Sequence, residues 1–246
     1  MFKKCIYKWT CLGLIVIISS CSSSEDELYS ADISMDRDIN DSGKLLQKRS
    51  NGLHPIISEE AKKDTIFIAV HGYESKGYEW VYALNKMIST GNQTYYYRWN
   101  WNNCPEASEK KLYDSIMSLL SEQRDITHIN ILGHSYGGTV VVGLADENFP
   151  ATVEIHAIAA PLISYSRLAI RCPSFEGYDG SIAYNKLFLW RTVKEQDGAF
   201  KEMQIDPQII KIENSNVIEL PSYFDDGRRL GHNWSIAWVV DSYLGN

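Results

Sequence analysis

The segment Ile129-Asn130-Ile131-Leu132-Gly133-His134-Ser135-Tyr136-Gly137-Gly138-Thr139-Val140 passes from an apolar run into small residues grouped about one serine. Gly133, Ser135 and Gly137 stand in the order G-x-S-x-G, a spacing that chance produces in roughly one sequence of ten at these glycine and serine frequencies. Position gives the match its weight. Residues 129–132 read as a strand buried on both faces, and the residues after Ser135 read as the start of a helix. A sharp turn between the two lifts a serine hydroxyl above the end of a sheet. Glycines on either side let neighbouring backbones pass with no Cβ in the way.

Strand and helix signals alternate outward from this turn. Apolar runs at residues 65–70, 94–101, 126–132, 153–159, 186–190 and 216–220 read as strands, and several lack polar alternation, as strands covered on both faces do. Between them Trp80, Val81, Leu84 and Ile88 form a helical stripe that ends at Gly91. Leu112, Ile116, Leu119 and Leu120 form a second, with Pro105 at its start. A third helix follows Ser135, and a last one carries Ile236, Val239, Val240 and Tyr243. This order predicts an α/β fold: a mostly parallel central sheet of about six strands with helices on both faces, and functional residues at the carboxyl ends of the strands. No internal repeat occurs.

In that setting the chain resembles the α/β-hydrolase superfamily, in the compact form shared by small bacterial lipases and esterases. The resemblance runs from about Thr65 to the C-terminus and rests on Gly133, Ser135 and Gly137, on the pair His71-Gly72, and on His232. It implies a nucleophile, an acid and a histidine in that order along the chain. A serine hydroxyl is a poor nucleophile until a base takes its proton. Of the six histidines, His54 and His71 precede the turn, His128 lies near the start of the strand that feeds it, and His134 is locked beside the serine. His156 falls inside an apolar run and reads as a core residue. His232 remains, directly before the last helix, where the superfamily places its base. The superfamily's acid follows the penultimate strand, here in Lys194-Glu195-Gln196-Asp197-Gly198. Asp197 is the first choice, because its Asp-Gly turn is similar to those of bacterial lipases, and Glu195 is the competitor. The resemblance also implies an oxyanion hole built from the backbone N–H of Tyr136 and from that of Tyr73, in the loop His71-Gly72-Tyr73-Glu74. The HGGG form of that loop is absent.

Residues 161–184 occupy the superfamily's lid position. Tyr165, Leu168, Ile170, Phe175 and Tyr178 offer one side of a pocket suited to small or medium acyl groups; a plain surface loop held by Cys172 is the alternative. Trp99, Trp101 and Trp190 fall near strand ends, where they either line a cleft or fill the core.

Residues 1–20 are of another kind. Lys3, Lys4 and Lys8 head an apolar run at residues 11–18, too short to cross ~30 Å of hydrocarbon as a helix and ordered like a secretory signal. Ile18-Ser19-Ser20-Cys21 resembles a bacterial lipobox, whose cysteine is lipidated and becomes the new N-terminus. An acylated Cys21 and a membrane partner at the bacterial cell envelope, outer membrane or cell surface, are therefore expected. Ser22-Ser23-Ser24-Glu25-Asp26-Glu27 either resembles a surface-export signal or serves as a solvated tether. Residues 21–63 are read as the lipidated cysteine and a polar tether leading into a loosely packed N-terminal segment, and residues 64–246 as the hydrolase-like domain.

The net charge of −7 becomes −10 once the three lysines of residues 1–20 are removed. That balance argues against nucleic-acid binding, which needs a concentrated basic face. Of five cysteines, two leave with the signal and Cys21 carries acyl chains, so Cys104 and Cys172 are left to pair in an oxidising compartment. The patterns H-E-x-x-H, paired C-x-x-C, G-x-x-x-x-G-K-[ST] and G-x-G-x-x-G are missing, and no metal, nucleotide or other cofactor is expected. The expected activity is hydrolysis of a small-molecule or lipid carboxylic ester by Ser135, His232 and Asp197 through an acyl-enzyme. An amidase, thioesterase or acyltransferase would use the same residues. A binding lipoprotein that kept the fold without catalysis is the reading of a different class.

Overall fold

Strand β3 (Lys62–Val70) shows why a sheet lies at the centre of the molecule. Ile66, Ile68 and Val70 join one buried cluster, Phe67 and Ala69 join the other, and none of the five is more than 3% exposed. Successive side chains point to opposite faces of a strand, so an unbroken apolar run can be buried only where both faces are covered. The computed structural model describes residues 27–59 and 61–244; the expected signal and Cys21 lie outside the described residues.

Eight strands pair among the described residues. They are β1 (Leu28–Tyr29), β2 (Gly52–Ile57), β3, β4 (Asn92–Arg98), β5 (His128–His134), β6 (Thr152–Ile158), β7 (Ile182–Arg191) and β8 (Glu213–Glu219). Their order across the sheet is β1-β2-β4-β3-β5-β6-β7-β8, and every neighbouring pair is parallel except β2 with β4. One face carries α1 (Ile39–Gln47), α2 (Tyr78–Ser89) and α6 (Gly231–Leu244), where Trp80, Val81 and Leu84 share a buried cluster with Ile236, Val239 and Val240. On the other face α3 (Pro105–Glu122) and α4 (Tyr136–Val142) cover Ile66, Ile68, Ile129 and Ile131 with Leu112, Ile116, Leu119, Leu120 and Val140. Each such Leu or Ile is worth about 2 kcal/mol relative to leaving it in water. Pro105 opens α3 as expected, since a first-turn residue needs no N–H partner.

The α/β class and the two-sided sheet agree with the sequence reading, but the strand count is eight rather than about six. The difference lies in the segment read as tether and loose packing. Leu28, Ile33, Leu46 and Ile56 are at most 2% exposed, and β1, α1 and β2 extend the sheet and cover its edge. Two features hide this from a periodicity reading. Strand β2 contains His54-Pro55 and pairs on one side with a strand of only two residues, a near-edge place that tolerates proline. Helix α1 carries Gly43 in its middle, normally a cost of about 1 kcal/mol, because a Cβ there would stand 2.4 Å from the backbone nitrogen of Tyr78 where α1 crosses the start of α2.

The lid-position segment is anchored from below. Tyr178 has one phenol proton and two acceptors, Thr139 O at 2.9 Å and Glu109 Oε1. A protonated Glu109 satisfies both, donating to Tyr178 while Tyr178 donates to the carbonyl. Burial, with Glu106, Asp146 and Glu147 nearby, pushes the Glu109 carboxyl up to about 7, although Tyr178 pulls the other way. The folded state therefore holds this proton more tightly than the unfolded chain. The associated stability is complete below about 4.5 and is lost as pH rises through about 7, amounting to about 3 kcal/mol. Glu109→Gln keeps a donor without the ionisation, so in denaturant titrations its advantage over the native chain should grow between pH 5 and pH 8. An offset independent of pH would contradict a protonated Glu109.

Candidate active site

Ser135 sits between the end of β5 and the first residue of α4 with φ 55° and ψ −125°, a conformation that side chains other than glycine seldom adopt. Such strain costs on the order of 1–3 kcal/mol and persists where the surroundings enforce it. They do so here through hydrogen bonds and close packing. The Ser135 N–H donates to Ile158 O at 2.8 Å, and the Thr139 N–H donates to Ser135 O at 3.1 Å. A Cβ on Gly133 would lie 2.5 Å from Gly137 O, and one on Gly137 would lie 2.4 Å from both Val70 O and His71 O. The two glycines of the motif thus let α4 press against the carboxyl ends of β3 and β5.

His232 is the second residue of α6, and its Nδ1–H donates to Asp197 Oδ2 at 2.8 Å. Asp197 follows a single 3₁₀ turn (Lys194–Gln196) beyond β7 and is fully buried. Its Oδ1 accepts from the Ala199 N–H at 2.8 Å, and Oδ2 also accepts from the Thr192 hydroxyl. Burial alone would raise this carboxyl. The His232 bond and charge, the Thr192 hydroxyl and the Ala199 N–H outweigh burial and hold it below the usual aspartate range. An ionised Asp197 that accepts the Nδ1–H hydrogen bond keeps the ring proton on Nδ1 and leaves the Nε2 lone pair as the basic site of the ring. Glu195 is exposed and makes no such contact.

The His232 ring lies between His134 (centroids 4.6 Å apart) and the edge-on ring of Phe200 (5.2 Å). His134 Nε2–H donates to the His232 backbone carbonyl at 3.1 Å, and burial holds His134 neutral by lowering its pKa to about 3. The histidine beside the serine therefore fixes where α6 begins. Ser135 and His232 line one cavity of about 450 Å³ together with Tyr73, Tyr136, Tyr165, Leu168, Arg171, Phe200 and Met203. No hydrogen bond joins the serine to the histidine in this geometry; such bonds commonly tighten only with substrate in place.

His71 is structural. Its Nε2 faces two donors, the Trp99 N–H and the Arg98 guanidinium, each at 3.3 Å, so Nδ1 carries the proton and donates to Gly72 O at 2.9 Å. Burial lowers this histidine to about 3, and Trp99 Nε1–H donates to His71 O at 2.8 Å, which pins the loop that delivers Tyr73 to the cavity. His156 is a core residue, stacked on Phe188 at 4.8 Å and accepting from Trp190 Nε1–H at 3.1 Å. The tryptophans expected either in a cleft or in the core do not line the cavity. Trp99 packs on His71 and Tyr136, Trp101 against His71 and Tyr73, and Trp190 on His156.

Within the lid-position segment, Tyr165 and Leu168 reach the cavity. Tyr178 turns toward α3 and α4 instead, Phe175 packs against Tyr178 with ring centroids 5.4 Å apart, and Ile170 is 85% exposed. Cys104, which precedes α3, is bonded to Cys172, which follows α5 (Ser166–Arg171), with Cα atoms 5.5 Å apart.

Sequence reasoning missed Thr192 and Gln208. The Thr192 N–H donates to Gln208 Oε1 at 2.9 Å, and Gln208 Nε2–H donates back to Thr192 O at 3.0 Å, locking the hydroxyl that faces Asp197. Neither stands in a motif. The one available hint was a polar threonine directly after an apolar strand.

The architecture is that of the α/β-hydrolase fold, and solved structures share it. Est1E from Butyrivibrio proteoclasticus is 12% identical with a TM-score of 0.52, covering 74% of this chain and 86% of that one. An alpha-beta serine hydrolase homologue from Coxiella burnetii is 12% identical with a TM-score of 0.50, covering 79% and 90%. The Pyrococcus furiosus esterase Pf2001 is 12% identical with a TM-score of 0.50, covering 76% and 81%. No protein-family model matches the chain, and no curated protein matches it.

Proposed function

We propose that the protein is a serine hydrolase that cleaves carboxylic esters through an acyl-enzyme. The observation that carries this reading is the buried, ionised Asp197 bonded to Nδ1 of His232, which lines the cavity that also receives Ser135 on its strained turn. His232 Nε2 takes the Ser135 proton as the hydroxyl oxygen attacks the ester carbonyl, and Asp197 stabilises the imidazolium that forms. The backbone N–H groups of Tyr136 and Tyr73 hold the oxyanion of the tetrahedral intermediate. His232 then gives its proton to the departing alcohol. Water, deprotonated by the same ring, releases the acid. The fold shared with known esterases supports the reading.

The chain is further proposed to work at the bacterial cell envelope, anchored through acylated Cys21. The signal-like residues 1–20 and the lipobox-like residues 18–21 support this placement, and so does the Cys104–Cys172 bond, since disulfides persist in such a compartment. A fluorophosphonate probe tests the catalytic reading. It should label the folded protein on the peptide that carries Ser135, and a folded sample left unlabelled there would remove the enzymatic assignment.

A further inference from the structure

The walls of the cavity that holds Ser135 are largely aromatic and aliphatic. Among its lining residues one group is permanently charged, Arg171, the last residue of α5. No ion pair reaches Arg171 among the described residues. Two carboxyl groups of α3 act on the Tyr136 phenol in the opposite sense to Arg171, and neither pairs with Arg171: Glu106 accepts from the Ser174 hydroxyl at 3.1 Å, and Glu109 meets Tyr178. The guanidinium donates to one neutral acceptor, Asn102 Oδ1, and its charge acts on the phenol of Tyr136 at the cavity wall. Most of its five N–H donors are therefore uncommitted.

Its backbone is held as well. Cys172, the next residue, is fully buried and bonded to Cys104, whose sulfur lies 3.7 Å from Arg171 O. A cation gives an apolar cleft nothing unless the ligand brings the opposite charge, and a guanidinium fork fits oxyanions in particular.

We propose that Arg171 selects esters whose cavity-filling part carries an anionic oxygen group, such as a carboxylate or sulfonate. The proposal rests on the ester-hydrolase reading of Ser135, His232 and Asp197. In a chain of net charge −7 the overall field opposes anions, so this one local cation decides. Arg171 does not touch the reacting bond. Its contact is the same in ground and transition states and acts on KM rather than kcat. Being exposed, it is screened by salt.

The test is steady-state hydrolysis of 4-nitrophenyl benzoate and of its 4-carboxy and 4-sulfo derivatives. The native protein should favour a charged ester by about tenfold in kcat/KM, through KM, and the ratio of charged to neutral should shrink as salt is added. Arg171→Gln should lower that ratio about tenfold, Arg171→Lys should keep part of it, and Arg171→Glu should invert it. Whichever charged ester is preferred shows whether the planar or the tetrahedral anion is the better fit. Equal kcat/KM for charged and neutral esters in the native protein, or a ratio that salt and the substitutions leave unmoved, overturns the proposal. The salt series keeps the test decisive even where a variant fails to fold. If none of the three esters is hydrolysed, the ester-hydrolase reading fails instead and takes this one with it.

Discussion

Asp197→Asn should lower kcat by about 10⁴-fold on a short-chain nitrophenyl ester while the protein still melts cooperatively. In the native site Asp197 Oδ2 accepts from both His232 Nδ1–H and the Thr192 hydroxyl, and Oδ1 accepts from the Ala199 N–H. An asparagine keeps the size of the side chain but has one acceptor oxygen. If that oxygen stays with Ala199, the amide NH₂ faces the ring, and Nδ1 must become the acceptor. The proton then sits on Nε2, the atom that receives the one from Ser135 in the proposed mechanism. The base is still present, but in the wrong tautomer. Glu195→Gln changes an exposed side chain outside this network and should leave kcat within about twofold. The reverse outcome, with Glu195 the costly position, would reassign the acid.

The second large effect is expected at Gly137. An alanine Cβ there would fall 2.4 Å from two backbone oxygens, Val70 O and His71 O, which belong to the end of a central strand and the loop beyond it. Neither can swing aside as a side-chain tip could, so α4 must lift from the sheet. That displaces Ser135 and the Tyr136 N–H together. Gly137→Ala should therefore cost more than about 4 kcal/mol or prevent folding outright, and hydrolysis should fall below detection. Gly198→Ala is the control. It lies beside Asp197, yet a Cβ there meets nothing within 4 Å, and its melting should stay close to that of the native chain. A well-folded, active Gly137→Ala protein would show that the elbow is looser than this packing implies.

Much of the fold could be read from residue pattern. The doubly buried run at 66–70, the stripes of α2 and α3 and the glycines about Ser135 each obey one local rule, and each holds in the structure. The order along the chain that the resemblance implies brought His232 forward among six histidines, and the structure sets it against Asp197. What escaped is what long-range packing decides. Strand β2 carries a proline and exists because β4 offers it a partner, and α1 carries a glycine because α2 passes close by. Thr192 and Gln208 support Asp197 through bonds that span 16 residues, for which no short pattern exists. Arg171 was invisible for a related reason, since only the folded chain shows that it faces the cavity that holds Ser135.

The bond from the His134 ring to the His232 carbonyl spans 98 positions, and the one from Tyr82 to Asp241, between α2 and α6, spans 159. Contacts so distant along a chain carry a large loop-closure cost and are slow to gather during folding. Helix α6 brings His232, and it packs against both the central strands and α2. A chain still emerging from a ribosome thus carries Ser135 long before His232. Ser135 and the pair His232–Asp197 come together only once helix α6 docks, so the site proposed above is a property of the completed fold.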